Sequence, residues 1–110
     1  MLIFFILIFL IQDKVPPAVP KNLEVFASEF EFSTEYKLVW NQSFIKGDSL
    51  KNYFVYFGKD LLNYDSLDVD IDTKIDLIII SQDTILFSIG ALYYNSGLSA
   101  KTKWIKYPTF

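Results

Sequence analysis

Between Tyr36 and Trp40 large apolar side chains alternate with outward-facing ones at a period of two, the pattern of a strand with one face in a core. Tyr36, Leu38 and Trp40 then point inward. Burying each is worth roughly 1.5 to 3 kcal/mol, so this strand alone supplies several kcal/mol of a net stability that is typically about 5 to 15. The same period recurs along the chain. Leu23 to Ala27 gives a first strand with Leu23, Val25 and Ala27 inward, Glu29 to Thr34 its continuation and turn, and Tyr36 to Asn41 the second strand. Leu50, Tyr53, Val55 and Phe57 line a third. Leu61 to Asp72 reads as an edge strand with Leu67, Val69 and Ile71 on one side and Asp68, Asp70 and Asp72 on the other. Lys74 to Ile80 follows, then Thr84 to Tyr93 with Ile85, Phe87, Ile89 and Ala91 inward, and Leu98 to Tyr107 with Trp104 closes the sheet.

Turn formers punctuate these runs: Ser43, Gly47 and Asp48 within Gln42 to Asp48, then Gly58-Lys59-Asp60, Ser81-Gln82-Asp83 and the hairpin signal Asn95-Ser96-Gly97. Short strands at spacings of about 8 to 12 residues predict an all-β, seven-stranded antiparallel β-sandwich. Its expected core is Leu38, Trp40, Tyr53, Val55, Phe87 and Ile89.

The amino-terminal stretch breaks this rhythm. Leu2 to Ile11 is an unbroken apolar run followed at once by Gln12, Asp13 and Lys14. Ten apolar residues span about 15 Å as a helix, against about 30 Å of membrane hydrocarbon, so the run fits a signal-peptide core better than a spanning helix. No Lys or Arg precedes it and no small-x-small cleavage site follows, which suits a missing upstream piece or an uncleaved anchor. An apolar strand belonging to the fold is the alternative. Residues 1–12 are thus expected to be a signal-like or short anchor segment, the chain's sole contact with a membrane, and the protein to be exported to the periplasm, the cell envelope or the exterior. Pro16, Pro17 and Pro20 make 13–21 a stiff proline-rich linker, leaving 22–110 as the folded domain.

Composition narrows the function classes. At 110 residues, 52% hydrophobic and 18% aromatic, the chain is not disordered and is long enough for one domain with a real core. Its charge is −3, with ten lysines and no arginine, which disfavours nucleic-acid binding. Without cysteine there are no disulfides, thiol nucleophiles or thiolate zinc sites, and without histidine the commonest acid-base catalyst is missing. No cofactor is expected.

A chain of short motifs resembles the fibronectin type III domain. They are Pro17-x-x-Pro20-x-Asn22-Leu23, Leu38-x-Trp40, Tyr53-x-Val55-Tyr56 before Gly58-Lys59, Phe87-x-Ile89-x-Ala91, and Gly97-x-Ser99-x-x-Thr102, covering residues 16 to 108. The resemblance implies a disulfide-free sandwich; an immunoglobulin-like sandwich of another lineage is the alternative. One departure is Ile85, where the family usually carries a tyrosine whose hydroxyl bonds nearby backbone, a hydrogen bond worth about 1 kcal/mol. Its loss implies a looser link between the fifth and sixth strands.

Three groups are candidates for chemistry. Tyr93, Tyr94, Asn95 and Ser96 combine tyrosines with small polar residues at a hairpin tip, the composition of paratope-like binding loops. The aspartates at 65, 68, 70 and 72 are the one dense carboxylate group, with Asp68, Asp70 and Asp72 a weak calcium candidate or the seat of a carboxylate hydrolase. A solvated edge that resists pairing with other chains explains them as well. Lys46-Gly47-Asp48-Ser49 resembles an adhesive tripeptide, but turn chemistry accounts for it. The expected function is a non-catalytic module that binds a protein, or a carbohydrate. The rival is a structural spacer or accessory subunit of an envelope assembly, held by edge-strand pairing.

Overall fold

The structure, a computed structural model of the chain, describes residues 16–80 and 84–108. The apolar run at 1–12 and the turn at 81–83 lie outside the described residues. Eight strands are described: β1 (Lys21–Glu29), β2 (Thr34–Asn41), β3 (Leu50–Gly58), β4 (Tyr64–Asp68), β5 (Lys74–Ile79), β6 (Ile85–Tyr93), β7 (Gly97–Leu98) and β8 (Ile105–Tyr107). One antiparallel sheet runs β1-β2-β5, the other β4-β3-β6-β7 with β8 also on β6. The chain is all-β, as its alternation predicts.

The period of two sorts the side chains. Tyr36, Leu38 and Trp40 of β2 are buried, and they meet Tyr53 and Val55 of β3 and Phe87, Ile89 and Ala91 of β6. Trp40 packs edge-on to Tyr53 at 5.6 Å between ring centroids, and Tyr36 lies 4.9 Å from Phe87. The sheets therefore face each other across an aromatic core. Leu23, Val25 and Ala27 of β1 and Ile75, Leu77 and Ile79 of β5 pack against it half-buried, because both strands are edges of their sheet. Leu50 and Tyr53 share a face despite their odd spacing because β3 shifts register between Leu50 and Asn52.

Two sequence expectations need correction. The seven strands become eight because the last one is interrupted. Ser99 donates its N–H to the Ala91 carbonyl (2.7 Å) and accepts the Ala91 N–H on its hydroxyl (2.9 Å); Thr102 does the same to Ile89 (2.9 and 3.0 Å). Side-chain oxygens thus stand in for backbone carbonyls. Four residues on this segment, 99–102, face three on β6, 89–91, so the stretch bulges, and Trp104 falls between β7 and β8 rather than within a strand.

The edge strand expected over Leu61 to Asp72 shrinks to β4. Val69 is buried, but Leu67 and Ile71 are exposed. Asp70 has a left-handed φ of 55° and the Asp72 N–H reaches the Val69 carbonyl (3.3 Å), so residues 69–72 turn instead of extending. That turn carries the chain to the other sheet, where the Trp40 N–H bonds Thr73. Before β4, Gly58 allows close backbone approach: a Cβ there would collide with the Asn63 carbonyl.

Register fixes the ends of the two-sheet fold. Residues 16–20, 42–49, 69–73 and 94–96 gather at one end, and the connections 30–33 and 59–63 at the other. The second end carries exposed Phe30, Phe32, Leu61, Leu62, Ile78 and Ile80. At the first, the proline-rich stretch is docked: Pro20 is buried, Ala18 packs on the core, and Lys21 already belongs to β1.

Candidate functional site

The end holding residues 42–49 and 94–96 is tied together by one side chain. Asp48 Oδ1 accepts the N–H of Asn95 (3.0 Å) and of Ser49 (2.8 Å); Oδ2 accepts the N–H of Ser96 (2.8 Å) and its hydroxyl (2.6 Å). The Tyr94 N–H adds a bond to the Ser49 carbonyl (3.0 Å). The Ser96 hydroxyl first, and then the N–H groups of Asn95, Ser96 and Ser49, lower the Asp48 carboxyl to about 2. It is ionised at neutral pH, with its acceptor sites occupied.

Both partners of this clamp are shaped locally. Gly47 and Gly97 have φ of 83° and 85°, a conformation that costs other residues strain, and they set the exits of the two turns. From inside, the hydroxyl of buried Tyr53 accepts the Ser43 N–H at 2.8 Å and fixes the start of the 42–49 connection. Outside stand Phe44 and Tyr94, 77% and 66% exposed, with the Lys51 ammonium 5.9 Å from the Tyr94 ring centroid.

The four hairpin residues divide. Tyr94, Asn95 and Ser96 form the turn and lie together at the tip. Tyr93 does not join them: it is 2% exposed, continues the inward series of β6, and donates its hydroxyl to the Ala18 carbonyl (3.3 Å). Asp48, read from the sequence only as a turn former, is the residue that organises the site. In the tripeptide it belongs to, Lys46 and Gly47 are exposed, but the Asp48 carboxylate is engaged by Asn95 and Ser96. No local signal pairs residues 48 and 96; only the strand order of the sheets does.

Asp68, Asp70 and Asp72 are not an alternating face. Asp68 ends β4 and bonds the Asp70 N–H (2.9 Å), and the other two lie in the turn. Among the described residues no three acidic side chains come together as a group able to hold a metal ion. Likewise, among the described residues no helix is long and apolar enough to cross a membrane. The tip offers exposed rings and amide groups on an ordered frame, which suits recognition.

No protein-family model matches the chain, and no curated protein matches it.

Proposed function

We propose that the chain is a non-catalytic module of the fibronectin type III kind, exported or tethered at the envelope, that binds a protein partner through the tip formed by residues 43–49 and 94–96. The observation that carries this reading is the Asp48 clamp. It holds two loops in one arrangement before any partner arrives, which lowers the ordering cost of binding, and leaves Tyr94 and Phe44 outside as anchors. The family reading is supported by where its motifs fall. Leu38, Trp40, Tyr53, Val55, Phe87, Ile89 and Ala91 are all buried, and Ser99 and Thr102 bind the last segment to β6.

A photo-crosslinking residue at position 94, in the full chain within its native envelope, tests the proposal. The expected result is one discrete protein adduct that vanishes when Asp48→Ala is added and is absent when the crosslinker sits at Lys37 on the opposite sheet. Equal labelling from both positions would refute it.

The accessory-subunit reading is favoured by β4, whose five residues are all exposed along a sheet edge. In that case β4 amides gain protection from hydrogen exchange in a co-purified complex while the tip does not.

A further inference from the structure

At the end of the molecule away from the Asp48 clamp, the connections are apolar where turns ordinarily carry Gly, Asn, Asp or Ser. Phe30 and Phe32 lie in the connection 30–33, Leu61 and Leu62 in 59–63, and Ile78 and Ile80 beside them, each 58% to 90% exposed. An apolar residue exposed singly needs no explanation. Six at one end leave several hundred Å² in water, on the order of the roughly 300 to 600 Å² of the largest patch on an ordinary monomer or more. Register places them together: Glu29 pairs with Thr34 and Thr34 with Ile79, which carries Ile80 past the last rung beside the 30–33 turn. Gly58 pairs with Tyr64 and closes the 59–63 turn at the same end.

Both turns are ordered. Phe30 donates its N–H to the Ser33 carbonyl (2.8 Å), with Glu31 and Phe32 exposed between them. In the other turn, Asp60 Oδ1 accepts the N–H groups of Leu62 and Asn63, both at 2.8 Å, and Gly58 lets the returning backbone pass close. Polar groups of the turns thus bond one another, and the large side chains stand outside before any partner arrives. The charge beside them is mainly of one sign. Glu29, Glu31 and Asp60 are exposed, Glu35 is half-buried opposite Ile78, and Lys59 is the one cation of the two connections.

We propose that this end docks a cationic amphipathic segment of a partner protein. Its apolar residues cover Phe30, Phe32, Leu61 and Leu62, and its lysine or arginine side chains meet Glu29, Glu31 and Asp60. Charge complementarity decides between the possible occupants. A second copy would bring the same carboxylates face to face, and an anionic bilayer would repel them. A zwitterionic bilayer would cover the apolar groups but has no net charge to offset the carboxylates. The surface shares no residue with the tip at the other end, so this proposal and the earlier one fail separately.

The test is titration of the purified full chain with two synthetic peptides patterned as amphipathic helices, one of leucine and lysine, the other of leucine and glutamate. The leucine-lysine peptide is expected to bind, more weakly as salt rises, and the leucine-glutamate peptide not to bind. The Leu61→Ser, Leu62→Ser variant and the Glu29→Gln, Glu31→Gln variant should each bind it about tenfold more weakly with an unchanged melting temperature. Ile71→Ser, an exposed apolar position at the opposite end, should bind it as the wild type does. Absence of leucine-lysine binding at low salt, wild-type affinity in either double variant, or equally tight leucine-glutamate binding would each overturn the proposal. Sedimentation showing a dimer, or flotation with phosphatidylcholine vesicles, that the Leu61→Ser, Leu62→Ser variant abolishes would overturn it in favour of a second copy or a lipid surface.

Discussion

Asp48 shows how much one carboxylate does when donors converge on it. Its pKa is lowered to about 2 in the folded chain, against about 3.9 in an unfolded one, so the unfolded state takes up the proton first as the medium is acidified. Its contribution is therefore complete above about pH 4 and fades as pH falls toward 2. The expected outcome is that Asp48→Asn melts below the wild type at pH 6 and that the gap narrows steadily below pH 4. Amide exchange at Asn95 and Ser96 should speed up in the variant at neutral pH, and unchanged exchange there would rule out the clamp. From the sequence, Asp48 is visible as a turn residue and no more, since its partners lie 47 and 48 positions away. The sequence reading groups Tyr93 with Tyr94 at the tip, although the inward series at 85, 87, 89 and 91 already puts the next odd position inside.

Among the elements, the most informative is the interrupted last strand. Replacing Thr102 by Val removes the acceptor of the Ile89 N–H and leaves that buried donor unmatched, a loss of about 1 to 3 kcal/mol. Urea unfolding should show this loss, with Thr102→Ser retaining most of the stability; equal stability of Val and Ser variants would mean that the hydroxyl bond is dispensable. The existence of strands was readable wherever apolar residues alternate for five or more positions. Bulges were not, because a register shift leaves composition untouched and only rotates later side chains to the other face. β4 misleads for a different reason: aspartates at alternate positions look like the wet side of a strand, yet Asp is also a turn residue, and at position 70 the left-handed backbone prevails.

For the molecule as a whole, stability is concentrated where the two sheets touch. Trp40 is 5% exposed and meets Tyr53 across the core, so Trp40→Ala should cost about 3 to 5 kcal/mol, a large part of what a domain of this size possesses. A denaturation midpoint close to that of the wild type would show that the sheets are held together elsewhere. Sheet count and core were legible because inward positions and their partners obey one period. The clamp was not, since it joins segments that are distant in sequence. Chain direction adds a constraint. The polypeptide enters the two-sheet fold beside the clamped loops, and with Ala18 and Pro20 docked the six residues 12–17 reach about 20 Å at most. Were the apolar run retained in a bilayer, as proposed, those loops would look down at the lipid surface, and a partner of the proposed tip would have to be moored within that short leash.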